Sequence, residues 1–499
     1  MTPAPLLVAV DQGTSATKAL LIDGAGSVVG SASVPIGAAH PHPGWVEQSA
    51  EEIWRSVTRA VEVCLAGRDG TQVAGIGVSS QRESCLLWER SSGRPLGPVL
   101  GWQDRRTAPA CAVLLAEGVG PFVRTTTGLP LDPMFTALKA RWLLDTYDPD
   151  RTRSLRGELC LGTVDSWLLW KLSGHTDHLI EIGNASRSQL LDLRTRHWDE
   201  RLLDIFGVPR EVLPRIMAST GPFPAVRGLS AVPDGTPVGA VLGDSHAALF
   251  GHGVRAPGTV KVTYGTGSSV MGLVDTPTQA EDSLLCLTIA WDDGTPAYAL
   301  EGNIRSSGAT LRWLAGLFGT DEADLAARAA PDAAGVHLVP AFGGLGAPWW
   351  DNEATGLVCG LTFAAGLPEL ARAALESIAF QVEDVVAGLD APGAPVTTLL
   401  ADGGPTGNAT LMQLQADISG RTLHRPRARA MSALGAAHLA GRSLGLLSKE
   451  DLSAATGAAD LYHPQWSPAR RAHRLSAWHE AVSRARTTST AAPGTELSP

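Results

Sequence analysis

Three short apolar runs of β character each end in a turn that mixes glycine with carboxylate or hydroxyl side chains. Leu6–Val10 leads into Asp11–Thr14, Thr259–Tyr264 into Gly265–Ser269, and Thr397–Ala401 into Asp402–Gly404. Ala19–Asp23 reads as a return strand after the first turn, so the chain opens as a hairpin. Between such strands the apolar spacing turns helical. Ile53, Val57, Val61 and Leu65 share one face over 50–66, and Ala374, Ile378, Gln381 and Val385 share one over 371–386. Val73–Ser79 and Val238–Leu242 read as further buried strands, ending at Gln81-Arg82-Glu83 and Gly243-Asp244. Strands alternating with amphipathic helices restrict the chain to the α/β class. The second half repeats the strand, polar glycine turn and strand of the first, which suggests a duplicated fold. His473–Ala485 reads as one amphipathic helix, and 487–499 as a small, polar, disordered tail.

The turns suggest a chemistry. A phosphate needs backbone N–H groups at close range, and glycine permits that approach because it has no Cβ. Thr and Ser add O–H donors. A carboxylate such as Asp11 can hold Mg²⁺, and Lys18 offsets phosphate charge if the hairpin turns it toward the site. No G-x-x-x-x-G-K-[ST] segment is present, and no G-x-G-x-x-G opens a helix after the first strand, so P-loop and Rossmann readings are disfavoured. Asp244, directly after an apolar strand, suits either a general base or the N-cap of the helix that follows. Arg82-Glu83 suits hydroxyl recognition or a solvated surface pair. Trp102 suits a pocket wall or the core, and His246, without a partner at ligand spacing, suits a structural role better than a metal.

Composition closes other routes. The net charge is −10, and the fourteen Trp do not follow a Lys/Arg stripe, which excludes a nucleic-acid surface. Six Cys are widely spaced with no C-x-x-C, as expected of reduced thiols in a cytoplasmic protein. No apolar run is long enough to cross a membrane, and the start has no signal-peptide pattern. Glycine supplies 55 of 499 residues, above the ~7% average, and has no G-X-Y period.

In order along the chain stand VDQGTSATKALL (10–21), PGWVEQSAEEIW (43–54), SSQRES (79–84), WQDRRT (102–107), TGLPLDPMF (127–135) and VDSWLLWKLSG (164–174). They are followed by NASRSQLLDL (184–193), GDSHAALFG (243–251), YGTGSS (264–269), PAFGGLGAPWWD (340–351), ARAALESIAFQ (371–381), ADGGPTGN (401–408) and LMQLQADI (411–418). From about residue 6 to about residue 441 the chain resembles the FGGY carbohydrate kinases, and most nearly their glycerol kinase branch. The resemblance implies two actin-like ATPase (ribonuclease H-like) domains with the active site in the cleft between them. It places an N-terminal domain at 1–242, a C-terminal, nucleotide-binding domain at 243–445, and a helical extension with a tail at 446–499. It further implies transfer of the γ-phosphate of ATP, with Mg²⁺, to a hydroxyl of a small polyol or sugar. Asp244 matches the general base, and Asp11 and Asp244 the metal-associated carboxylates. Gly13, Thr14, Ser15 and Lys18 match the first phosphate loop, and Thr266 and Gly267 the second. Gly308, Arg312, Gly404 and Asn408 fall at nucleotide-binding positions. Dimers or tetramers are common in such a family.

The chain departs from the glycerol kinase pattern at the acceptor pocket. Arg82, Glu83, Trp102 and Asp244 match it. Met134 stands where Tyr is usual, Ser245 where Gln is, and Ser269 where Phe is. Lys18 stands where Arg is frequent, and Arg312 where Gln is common. Losing two aromatic walls implies a larger, more polar pocket and a four- or five-carbon polyol or ketose. Glycerol as the acceptor, and a non-catalytic actin-like nucleotide-binding regulator, are the alternative readings.

Overall fold

The computed structural model describes residues 5–277, 284–390, 394–428, 430–448 and 458–486. The tail expected at 487–499 lies outside them. The chain divides into two compact units interleaved in sequence. The first comprises 1–261, 271–301 and 426–459, and the second 262–270, 302–425 and 460–499. The α/β class and the two-domain organisation expected from the sequence are what the structure has.

The first unit is built on five strands: β1 (Leu6–Gln12), β2 (Ala16–Ile22), β3 (Val28–Pro35), β4 (Val73–Ser80) and β5 (Val238–Gly243). Their order is β5-β4-β1-β2-β3. The β1–β2 and β2–β3 pairs are antiparallel, while β4 runs parallel to both β1 and β5. Both faces of β1 are covered, which is why its sequence reads as a continuous apolar run rather than an alternation. Leu6, Val8 and Val10 join a core with Ile53, Val57 and Val61 of the helix Ala50–Cys64. Leu7 and Ala9 join another with Leu434 and Ala437 of the helix Met431–Ser443. That second helix lies close against the sheet, because a Cβ at Gly77 of β4 would collide with the Ala436 carbonyl. It crosses the helix Asp244–Gly251 equally closely, where side chains at Gly251 or Gly435 would strike the facing backbone. The helix that follows β5 is thereby fixed in place.

The hairpin expected at the start is present, with its turn shifted. Asp11 and Gln12 belong to β1, not to the turn, and only residues 13–15 separate the strands. Asp11 is a poor strand former in isolation. Here the Ser79 hydroxyl of the neighbouring strand donates to its carboxylate at 2.9 Å and satisfies it.

The second unit contains the helices Gly308–Leu317, Leu367–Leu389 and Ala409–Ser419, and the paired parallel strands Thr398–Asp402 and Thr422–Pro426. The helix expected over 371–386 runs longer at both ends, and its face of Ala374, Ile378, Gln381 and Val385 is buried as the spacing requires. The last helix is Pro468–Ala485, five residues longer at its start than the apolar pattern suggests. The Ser467 hydroxyl accepts from the Arg470 N–H, and Pro468 fills the first helical position, so the start is set by capping rather than by periodicity. Among the described residues no helix is long and apolar enough to cross a membrane. All six cysteines are free thiols, five of them buried.

Candidate functional site

The parallel strands β1, β4 and β5 end together. Asp11 is level with Ser79, and Ser79 with Leu242; one step further Gln12, Ser80 and Gly243 are level. The residues that continue past these ends are Gly13-Thr14-Ser15, Gln81-Arg82-Glu83 and Asp244. Carboxyl ends of parallel strands are where α/β sheets collect ligands.

Asp244 is not the N-cap of its helix. Gly243 holds that position, and Asp244 is the first helical residue, its Oδ1 accepting from the Ser245 N–H at 2.6 Å. The side chain is therefore not consumed in capping and keeps 34% exposure. Its neighbour Arg82 sets its electrostatics, with Nε 3.4 Å from Oδ1. Burial pushes the Asp244 carboxyl above the ordinary carboxylate range, Arg82 pulls it down, and Glu83 adds to the rise; the net direction is upward.

Arg82 and Glu83 are not a solvated pair. Both are almost fully buried. Arg82 donates through both terminal nitrogens to Glu301, at 2.7 and 2.5 Å. Glu83 accepts from Arg187 Nε at 2.6 Å, and Arg187 Nη1 lies 3.2 Å from Glu301. Asp244, Arg82, Glu301, Arg187 and Glu83 thus form one chain of alternating charge, with three carboxylates and two guanidiniums. Glu301 is held well below the usual range by the two guanidiniums beside it, against the opposing effect of burial. Glu83 takes a left-handed backbone conformation, φ 61°, which a non-glycine residue adopts at a cost. That turn sends the adjacent Arg82 and Glu83 side chains to different partners.

His246 completes the cluster. Its Nε2 lies 3.2 Å from Arg82 Nη1. A guanidinium only donates, so Nε2 accepts and the ring is neutral with its proton on Nδ1. Burial and Arg82 both push its pKa far down. The ring thus serves Arg82 as a hydrogen-bond acceptor. Gly243 is required here for room. A Cβ would fall 2.5 Å from Arg82 Cδ, on a side chain tied at its far end. Gly243→Ala is expected to displace Arg82 and with it the adjoining Asp244, and to lower kcat/KM by up to about 100-fold, the effect of a misplacement of about an ångström near a reacting centre. Steady-state kinetics alongside an unchanged circular dichroism spectrum would check it.

The remaining candidates of this unit sit around the cluster. Trp102 is half-buried, and its indole N–H donates to the Thr14 hydroxyl at 3.0 Å. Lys139, fully buried, donates to the carbonyls of Met134 (2.7 Å) and Gly101 (3.2 Å), so one ammonium fixes Met134 and the residue before Trp102. Met134 and Ser245 are half-buried, Ser15 is exposed, and Lys18 is exposed and cross-strand from Asp11. Gly13 donates its N–H to the Ala16 carbonyl and closes the hairpin.

In the second unit Gly265-Thr266-Gly267 turns tightly, with the Gly265 N–H donating to the Gly267 carbonyl. Ser269 is half-buried just beyond it. A Cβ on Gly267 would collide with the Ile304 carbonyl, and one on Gly308 would lie 2.6 Å from the Gly265 carbonyl. Gly308 is the first residue of its helix, and its N–H donates to that carbonyl. Gly403, at φ 97°, packs on the Tyr264 backbone, whereas a Cβ on Gly404 would meet open space. Asn408 N-caps the helix Ala409–Ser419, and Arg312 forms a surface ion pair with Glu322 at 2.8 Å.

The sequence reading did not single out Glu301, Arg187 or Lys139. A Glu inside the strand Pro296–Ile304 was the available signal for the first, and Arg187 lay inside the NASRSQLLDL segment.

The model of the FGGY family of carbohydrate kinases, N-terminal domain, matches residues 6–251, and that of the same family's C-terminal domain matches 260–444. An apulose kinase of Pectobacterium atrosepticum is 41% identical over 490 residues, covering 97% of this chain and 98% of that protein. A glycerol kinase of Citrifermentans bemidjiense is 42% identical over 485 residues, covering 95% and 98%. Among solved structures, Plasmodium falciparum glycerol kinase with ADP superposes with a TM-score of 0.87 at 28% identity, over 97% of this chain and 99% of that one. A xylulose kinase from Lactobacillus acidophilus gives 0.84 at 23% identity, over 96% and 97%, a likeness of fold.

Proposed function

We propose, for a chain that belongs to the FGGY family of carbohydrate kinases, that the acceptor is a polyol or ketose of four or five carbons and that Asp244 is its general base. As a member of that family the chain is a phosphotransferase with an alcohol acceptor, and it uses ATP. The observation that carries the proposal is the state of Asp244. It is the partly exposed end of an otherwise buried network of charges, and its side chain is free of capping duty.

A carboxylate raised above its ordinary pKa is, when ionised, a better proton acceptor. In the proposed reaction Asp244 takes the proton from the attacking hydroxyl at Oδ2 or Oδ1, and Arg82 keeps the carboxylate oriented. Trp102 and Met134, both fixed from behind, line the acceptor. Gly13, Thr14, Ser15 and Lys18, and in the second unit Thr266, Gly267, Gly308, Arg312, Gly404 and Asn408, are assigned to the nucleotide. The obligate glycine at 267 and the open space over Gly404 support that assignment. Bound Mg-ATP supplies the phosphoryl group and the positive charge that stabilises its transfer. Asp11, at the carboxyl end of β1, and Asp244, just past that of β5, are assigned to Mg²⁺, which takes one or two carboxylates and completes its shell with phosphates and water. Among the described residues no group of three or more His, Cys, Asp or Glu side chains could hold a metal, so a dedicated protein cage is not the mode expected here.

The acceptor class rests on Met134, Ser245 and Ser269, which are smaller or less aromatic than the usual wall. Glycerol is the second reading, favoured by relatives named glycerol kinase at 40–42% identity. A coupled ADP-release assay across glycerol, erythritol, threitol, ribitol, xylulose, ribulose and apulose separates them. The expected result is a kcat/KM at least tenfold higher for a longer acceptor than for glycerol. Glycerol preferred over every longer compound would refute the enlarged pocket.

A further inference from the structure

In the first unit the short strands Leu179–Glu181 and Arg215–Met217 pair in parallel, and beside them lies a cavity of about 540 Å³. The volume is typical of small-ligand sites, which span ~300–1,000 Å³. Arg196, His197, Arg210 and Arg215 line it together with Trp198 and Met217, and its lining holds no Asp or Glu. In a chain of net charge −10 that concentration is the reverse of the average surface. Two of the cations have their ion-pair partners outside the lining, and Arg210 Nη1 also donates to the Trp198 carbonyl within it at 3.4 Å. Arg210 lies 3.1 Å from Glu200, with both side chains more than half exposed, and Arg196 lies 3.6 Å from Asp292. The Arg210–Glu200 pair, exposed on both sides, contributes little and yields readily to a competing anion. The exposed guanidinium of Arg215 and the exposed ring of His197 have no ion-pair partner among the described residues. Trp198 supplies a rigid apolar wall, its indole N–H donating to the Pro214 carbonyl at 3.0 Å.

We propose that this cavity binds a small phosphorylated metabolite, its phosphate held by Arg215 and Arg210 and its carbon skeleton lying against Trp198. Planar guanidinium forks match a phosphate's oxygens in pairs, and a phosphate dianion satisfies the excess of positive charge that the lining carries. None of these residues belongs to the kinase site described above, so the proposal stands independently of it.

Titration calorimetry of the full-length protein with ribose 5-phosphate tests the site. Arg215→Glu is expected to weaken binding at least tenfold while kcat/KM, measured without ribose 5-phosphate, stays within twofold. Arg215→Gln combined with His197→Gln gives the same loss without reversing a charge, and serves if the first variant fails to fold. Equal affinity in the parent and both variants would place the binding elsewhere and overturn the proposal. Absence of binding to the parent protein would overturn it too.

Discussion

Asp244→Asn is expected to lower kcat by about two orders of magnitude or more, the size of a lost general base. The substitution is nearly isosteric, and Asp244 does not cap its helix, so the fold should not change, and ATP should still bind because Asp11 and the glycine turns remain to hold its Mg²⁺ and phosphates. Arg82 keeps its bidentate partner Glu301 in the variant. The loss should therefore fall on kcat rather than on stability, and ADP release in the presence of acceptor, set beside nucleotide binding by calorimetry, separates the two. Near-normal turnover in the variant would remove Asp244 from the mechanism. The same assignment fixes the sign of a pH effect. The base works when ionised, and its pKa is raised above the ordinary 3.8. The acid limb of kcat/KM should therefore lie at a higher pH than an ordinary aspartate would give.

Glu301→Gln is expected to destabilise the protein by about 3–5 kcal/mol, the usual effect of removing one partner from a buried ion pair. Glu301 and Arg187 have no solvent exposure, and Arg82 has almost none. Without the carboxylate, the two guanidiniums lose the counter-charge they share and keep only Glu83 and Asp244, and Arg82 loses the anchor that aims it at Asp244. The expected signature is a lower midpoint in chemical denaturation together with impaired acceptor kinetics. An unchanged midpoint would mean that the network is not a stabilising element. The pH sign follows from a depressed folded-state pKa. This contribution is fully present above the ordinary value of 4.5 and is lost only as the pH falls below it.

How much of this the sequence reveals depends on the range of the interaction. The run Leu6–Val10 is legible as a strand because local packing on both faces demands apolar side chains. The helix Ala50–Cys64 is legible because its face repeats at 3.6 residues. Asp11 and Gln12 look like turn residues because their strand conformation relies on a Ser79 hydroxyl 68 residues away. Asp244 reads as a cap because Asp is a favoured one, and nothing local shows that Gly243 takes the position. Arg82-Glu83 looks solvated for the same reason on a larger scale. Its partners lie 219 and 104 residues further along, and only the folded sheet brings them together. The early start of the Pro468–Ala485 helix, by contrast, was locally signalled by Ser467-Pro468, a cap followed by a preferred first residue. The charge reading was global and so missed the basic cavity at Arg215, an excess of cations inside an acidic chain.

We propose that this chain passes phosphate from ATP to the hydroxyl of a small polyol or sugar longer than glycerol. Phosphorus NMR of the unaltered protein with Mg-ATP and each acceptor tests it directly. The predicted result is a new phosphate monoester, formed in step with ADP, and formed faster on a four- or five-carbon acceptor than on glycerol. Inorganic phosphate and ADP appearing with no monoester on any acceptor would contradict it.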